Sequence, residues 1–161
     1  MNTNIKIIDN FLSKDIFQNI KDTFLSNNFP YFYNPQKVVN LDSDFQFTHI
    51  FFEMSRVNSK YFDFLLPVIN KLDCKAIIKI KSNLTTKTES IRPFMFHNDY
   101  NFNCNTSIFY INNNNGKTLF EDGSEVNSVE NRMVIFPSTI KHTGTTHTDE
   151  KIRVVINFNY F

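Results

Sequence analysis

The sequence predicts an α+β chain that is mainly β, with helical patterning first and six or more short strands after it. Three observations carry this. Apolar residues recur at helical spacing after Ser13 and again between Ser59 and Leu72. From Lys75 onward they alternate with polar residues, and Asn, Asp, Gly and Pro separate the alternating runs. The 161 residues are one domain in length. The reading is an N-terminal strand and helices over 1–74 that buttress a barrel core over 75–161. Closing the strands into a small double-sheet barrel is how such a chain removes exposed sheet edges.

Residues 4–8 (NIKII) are β-prone and stop at the turn formers Asp9 and Asn10. Ser13 suits a helix N-cap, and Ile16, Ile20 and Phe24 repeat on one face. The stretch 27–40 carries Pro30 and Pro35 and reads as irregular, anchored by Tyr31 and Tyr33. A second helix is expected over 59–72, with Tyr61, Phe62, Leu65, Leu66 and Ile69 as its apolar stripe. AIIKIKSNL opens the β region with Ile78 and Ile80 on one face. MFHND, NTSIFYI, KTLFED, RMVIFP and RVVINFNYF follow as further strands. The clearest turn is 112–116, where an Asn run and Gly116 tolerate positive φ.

Composition bounds the function class without excluding a charged partner. The formal net charge is +1, with 17 basic and 16 acidic residues interspersed, so charge supplies no argument for a nucleic-acid or membrane partner. Cys74 and Cys104 have no metal-knuckle spacing and are expected as free, buried thiols. No signal-peptide pattern or membrane-length apolar run is visible, and a cytoplasmic protein is expected. Neither a phosphate-binding glycine loop nor a nucleophile–histidine set is present.

The strongest chemical signal is His97-Asn98-Asp99. In an extended segment, residues i and i+2 point to one side, so an imidazole and a carboxylate can aim at one point. A third ligand would complete a two-histidine, one-carboxylate face that leaves octahedral positions open. Two later histidines exist. His142 follows the apolar strand 133–136 and a Pro137-Ser138 turn, whereas His147 lies in the polar stretch THTDEK and reads as an exposed turn residue. His142 is favoured. On the last strand, Arg153, Val155, Asn157 and Asn159 alternate with Ile152, Val154, Ile156 and Phe158. The second set is a continuous apolar face, so the first faces a polar interior, which calls for a polar occupant.

These residues together resemble the 2-oxoglutarate and Fe(II) oxygenases, in their prolyl 4-hydroxylase-like branch. The resemblance rests on His97–Asp99, SIFYIN ending in Tyr110-Ile111-Asn112, NRMVIFPSTIKHTG and RVVINFNYF, in the family's order over about 75–161. It implies a double-stranded β-helix (a jelly-roll, cupin-like barrel) with supporting N-terminal helices. His97, Asp99 and His142 are the implied metal ligands and catalytic centre. Arg153, eleven residues beyond His142, is the implied partner of the far carboxylate of 2-oxoglutarate. Tyr110 matches a strand tyrosine that helps hold the same co-substrate, although it also reads as one more core aromatic. Asn157 joins this set from the polar face. The chain departs from the family in having Gly116-Lys117-Thr118 after the tyrosine strand, where many members have a Gly-Gly-Thr-rich turn.

The activity this implies is hydroxylation of a C–H bond in a peptidyl, prolyl-like or small-molecule substrate. It consumes 2-oxoglutarate and O₂ on Fe(II), releases succinate and CO₂, and has ascorbate as a candidate reductant. Two rival readings stand beside it: a cupin-like metal dioxygenase that does not use 2-oxoglutarate, and a catalytically silent barrel that serves as a binding module. Nucleic-acid demethylation is weaker, since the last strand carries one Arg. Of the remaining polar residues, one of Lys79, Lys81 and Asn83 is a candidate for the pocket, with a solvated edge favoured for the lysines. Arg92 is left between substrate and solvent, Asn131-Arg132 reads as structural, and His49 as a satisfied histidine rather than a ligand.

Overall fold

The computed structural model describes residues 4–35 and 44–161. The chain runs through β1 (Lys6–Ile8), α1 (Lys14–Phe24), β2 (Phe32–Asn34), β3 (Gln46–Glu53) and β4 (Arg56–Val57), then a 3₁₀ turn (Phe62–Leu65) leading into α2 (Leu66–Leu72). The strands β5 (Ile77–Thr86), β6 (Asn105–Tyr110), β7 (Lys117–Phe120), β8 (Glu125–Asn127), β9 (Met133–Pro137), β10 (His142–Gly144) and β11 (Ile152–Tyr160) complete it. The larger sheet has the order β1-β9-β6-β11-β5-β3-β2, with β4 paired to β3, and the smaller has the order β10-β7-β8. Every pairing is antiparallel. Side chains of both sheets meet in one inner apolar cluster that includes Ile108, Tyr110, Phe120, Val126 and Val155. This is the jelly-roll architecture.

The strand β3 was not anticipated as part of the sheet, because QFTHIFFE carries no clean alternation. It pairs with β5 from Phe47↔Leu84 to Phe52↔Ile80, and so the N-terminal half supplies a wall of the barrel as well as its buttress. That buttress is the larger core. Phe17, Ile20 and Phe24 of α1, and Leu65, Val68 and Ile69 around α2, pack on Phe109, Val154, Ile156 and Phe158 of the larger sheet. Each such side chain, fully buried, contributes about 1.5–3 kcal/mol.

Several local expectations are corrected. The buried face of α1 is Phe17, Ile20 and Phe24, while Ile16 is 42% exposed. Phe17 sets the rotation, because its ring meets Phe109 edge-on at 5.8 Å. Ser13 occupies the N-cap position without a side-chain cap bond. The second helix is α only from Leu66. Its Pro67 falls in the first turn, where a missing N–H costs nothing. Tyr31 is an anchor, sharing a hydrogen bond with Ser82 (Oη–Oγ 3.1 Å). Tyr33 is not; it sits on the outer side against Phe45 and Phe47 and is 62% exposed. The part of the irregular stretch beyond Pro35 lies outside the described residues, which resume at Asp44.

The 112–116 turn contains no residue at positive φ. It is held instead by side chains: Asn114 Oδ1 accepts from Gly116 N (3.0 Å), and Asn112 Oδ1 accepts from Val154 N (2.9 Å). The left-handed position that does matter is Asn131 (φ 57°). Its amide spans to Leu12, accepting from N and donating to O, each at 2.9 Å, which ties the N-terminal segment to the end of β6. Asn131→Ala should lower stability by about 2–4 kcal/mol in denaturant melts. Two bonds to buried backbone contribute about 1 kcal/mol each, and a Cβ without a compensating side chain in αL costs about 1–2. Asn131→Gly should recover only the backbone share; a neutral Ala variant would remove the clamp from the account.

Candidate metal centre

Two elements distant in sequence meet through a backbone bridge. His97 N donates to His142 O (3.0 Å) and His142 N to His97 O (2.9 Å), while Asp99 N donates to Ser138 O (3.1 Å). The HND segment is not a strand as expected; it touches β10 only at one isolated bridge, His97 with His142. Beyond the bridge, the Asn98 side-chain amide donates to Tyr100 O and Asn101 Oδ1 and closes a local turn. The bridge alone suffices to set the two histidines side by side, with ring centroids 4.7 Å apart.

One ligand atom from each of His97, Asp99 and His142 falls within 4.8 Å of the other two. Asp99 Oδ1 lies 3.7 Å from His97 Nε2 and 3.9 Å from His142 Nε2. Both Nδ1 atoms are engaged by carbonyls, Met95 O at 3.3 Å and Ile140 O at 3.1 Å. Nδ1–H donation leaves the two Nε2 lone pairs as the ligating positions. Burial against Phe136 and Phe120 holds the His142 imidazole below its ordinary pKa; Asp99 opposes this and His97 adds to it. Burial thus favours the neutral ring, the form a ligand needs.

Asp99 is oriented by residues the sequence reading did not single out. Its Oδ2 accepts from Thr106 Oγ1 (2.9 Å) and Asn159 Nδ2 (2.7 Å), and those two are themselves 3.0 Å apart. That leaves Oδ1 to face the histidines. The signal available was parity, since Asn159 lies on the polar face of the last strand. Asn159→Ala should weaken metal affinity about 10–100-fold, the usual cost of removing a partner that orients a ligand. Metal titration checks it, and an unchanged constant would make Asn159 a bystander.

A cavity of about 130 Å³ extends from the triad along the inner face of β5 and β11. Arg153 lines it six residues along β11 from Asn159, the residue that holds Asp99; it is 5% exposed and bound through Nε–H to Ser128 Oγ at 2.9 Å. Its guanidinium lies over the Tyr110 ring at 5.8 Å. Among the described residues it has no carboxylate partner. Burial presses its pKa down, with Tyr110 opposing. Gly116 permits this placement, because a Cβ there would come 3.0 Å from Arg153 Cδ and 2.8 Å from Asn114 Oδ1. Asn157 lines the cavity as expected. Tyr110 does not reach the wall, and its hydroxyl shares a 2.7 Å hydrogen bond with Thr118, which does. Asn83 Oδ1, Thr85 Oγ1 and Asn157 Oδ1 are buried and have no hydrogen-bond partner among the described residues, all three on the cavity wall. Buried polar atoms of this kind call for a polar occupant. The residues present thus fit a ferrous ion at the triad and a carboxylate at Arg153.

The remaining residues divide plainly. His147 is outside the triad but is not an exposed turn residue; it is fully buried. The 87–92 loop folds over it, with Thr88 N donating to His147 O (3.0 Å) and Thr146 N to Arg92 O (3.0 Å). Arg92 forms a two-pronged pair with Asp44. Lys79 pairs with Glu53, and Lys81, favoured as a solvated edge residue, lines the cavity. His49 is satisfied by Pro30 O and Ser59 Oγ, each at 2.7 Å. Both cysteines are free, Cys104 buried and Cys74 half-buried. No helix among the described residues is long and apolar enough to cross a membrane.

No protein-family model matches the sequence, and no curated protein matches it. Solved structures do match in fold. A prolyl-4-hydroxylase of Pseudomonas putida superposes with a TM-score of 0.69 at 11% identity, covering 99% of this chain and 93% of that one. A prolyl hydroxylase of Trichoplax adhaerens, in complex with a peptide fragment of the hypoxia inducible factor oxygen degradation domain, gives 0.68 at 16% identity, covering 99% and 84%. A 2OG-Fe(II) oxygenase family oxidoreductase of Burkholderia pseudomallei gives 0.70 at 10% identity, covering 99% and 85%. At these identities the likeness is one of fold. Fold and site together define a jelly-roll barrel with a two-histidine, one-carboxylate face and a buried arginine in the same cavity.

Proposed function

We propose that this chain is an Fe(II)- and 2-oxoglutarate-dependent oxygenase that hydroxylates a C–H bond of a peptidyl, prolyl-like or small-molecule substrate, with release of succinate and CO₂. The observation that carries the reading is Arg153, a buried cation with no carboxylate partner among the described residues, lining the same cavity as three convergent metal ligands. A planar guanidinium matches a carboxylate two-pronged. A cupin-like dioxygenase without 2-oxoglutarate, or a silent binding barrel, would leave that cation with nothing to do.

In this reading His97, Asp99 and His142 hold the iron through two Nε2 atoms and Oδ1. The iron and 2-oxoglutarate, when bound, supply the activation of O₂. The chain's own part is to position and to exclude water. Thr106 and Asn159 hold Asp99, the Ile140 carbonyl holds the His142 ring, and Arg153 neutralises the co-substrate's far carboxylate. The Tyr110 ring lies beneath Arg153, with its hydroxyl bonded to Thr118, and Asn157 offers its amide along the wall. Ascorbate is the reductant and the cytoplasm the compartment that this reading carries with it.

The test is spectroscopic. Anaerobic Fe(II) with 2-oxoglutarate should give a weak visible charge-transfer band that neither component gives alone. No band with the native protein would sink the proposal.

A further inference from the structure

Arg153 is not the only cation of the cavity. In the register of β5 and β11, Arg153 stands opposite Thr85 and Lys81 opposite Asn157. The two levels are four residues apart along the strand, about 13 Å of backbone. Lys81 is half-buried and makes no side-chain hydrogen bond or ion pair among the described residues, although the Asp99 and Glu53 carboxylates both attract it from a distance. Its neighbour Lys79 is neutralised by Glu53. Asp99 lies near, but its Oδ2 is taken by Thr106 and Asn159, and its Oδ1 is turned to the histidines. A metal at the triad would occupy that remaining oxygen, and since Glu53 is already paired with Lys79, the ammonium would be left without an anion of its own.

Lys81 also borders a second groove, shared with Lys79, Asp99, Tyr100, Asn157 and Asn159, that does not include Arg153. An anion reaching Lys81 by that groove approaches the metal ligands from the side away from the arginine. We infer that Lys81 is a specificity-determining residue that receives a carboxylate of the primary substrate, so that the substrate class is an acid-bearing molecule oxidised close to that carboxylate. The inference rests on the oxygenase reading of the site. The same ammonium chemistry would serve the metal-side carboxylate of 2-oxoglutarate, and the experiment separates the two sources.

The probes are N-acetyl amino acids, proline among them, each matched with its neutral primary amide. Saturation-transfer NMR on the protein loaded with diamagnetic Zn(II) should show the acids binding about tenfold more tightly than the amides, as expected for a charge-assisted contact. The preference should vanish in Lys81→Met and return in Lys81→Arg. Acids and amides binding alike, or a preference that survives Lys81→Met and is lost in Arg153→Met, would overturn the inference. In the second arm, 2-oxoglutarate is titrated into the Fe(II) protein anaerobically. Lys81→Met should leave its affinity within about twofold, while a tenfold or greater loss would give Lys81 to the co-substrate and overturn the inference as well. Failure of the oxygenase reading is a different result: the native protein shows no charge-transfer band, whatever the acid and amide comparison gives.

Discussion

His142→Ala should abolish the charge-transfer band of the anaerobic Fe(II) and 2-oxoglutarate complex and lower metal affinity by more than about 100-fold, since losing only an orienting partner costs 10–100-fold. The imidazole is 3% exposed and sits between Phe136 (ring centroids 4.7 Å apart) and Phe120 (6.3 Å), so alanine also leaves a cavity. Large-to-small changes at such sites cost about 2–5 kcal/mol. A His142→Leu variant keeps most of the volume and isolates the ligand effect. Mn(II) at 100 times its dissociation constant should stabilise the native protein by about 2.7 kcal/mol, and neither variant. For a domain of this size that is roughly 5–10 °C in Tm. A metal-induced shift that persists in His142→Leu would take His142 out of the ligand set and reopen the choice of third ligand.

The second large effect is at Arg153. Arg153→Met should weaken 2-oxoglutarate by about 2–5 kcal/mol, roughly 30- to 4000-fold, the cost of truncating one member of a buried, hydrogen-bonded charge pair. Metal affinity should stay within about twofold, because the guanidinium is no part of the ligand set. The ligand-free protein should not lose stability. Arg153 without its anion is a buried cation held by the single Ser128 hydrogen bond and the Tyr110 ring, and exchanging such a group for an apolar one of similar volume is often neutral or stabilising. Charge-transfer titration reads the first quantity and thermal melts the last. Loss of iron with 2-oxoglutarate affinity intact would make Arg153 a structural residue.

These two expectations draw on different information. Parity on the last strand was legible because it is local: period-two alternation assigns Val154, Ile156 and Phe158 to one side and Arg153, Val155 and Asn157 to the other, whatever the strand pairs with. The packing follows that division, with the apolar set in the large core and the other set on the cavity wall. The His97–Asp99 pair was legible as chemistry, although the backbone that presents it is an isolated bridge rather than a strand.

What stayed hidden depends on register between strands far apart in sequence. No pattern within QFTHIFFE says that it pairs with β5, and none within KIKSN says that Lys81 turns inward while Lys79 finds Glu53. His147 reads as a polar turn residue until the 87–92 loop is seen to cover it. Gly116 reads as a turn former, whereas its lack of a Cβ serves the approach of Arg153 from another strand.

The sequence alone therefore determined the kind of residue at each site and the face of its own element, because propensity and periodicity are properties of a few neighbouring residues. His97, Asp99 and His142 were named from residue chemistry and position, whereas the role of Arg153 came from the resemblance, with strand parity in support. The tertiary structure decided which faces meet. It set His142 beside His97 through two backbone hydrogen bonds, turned Asp99 with Thr106 and Asn159, and placed Tyr110 behind the wall rather than on it. Those outcomes come from pairing register and close packing, which are settled jointly by residues from the whole chain.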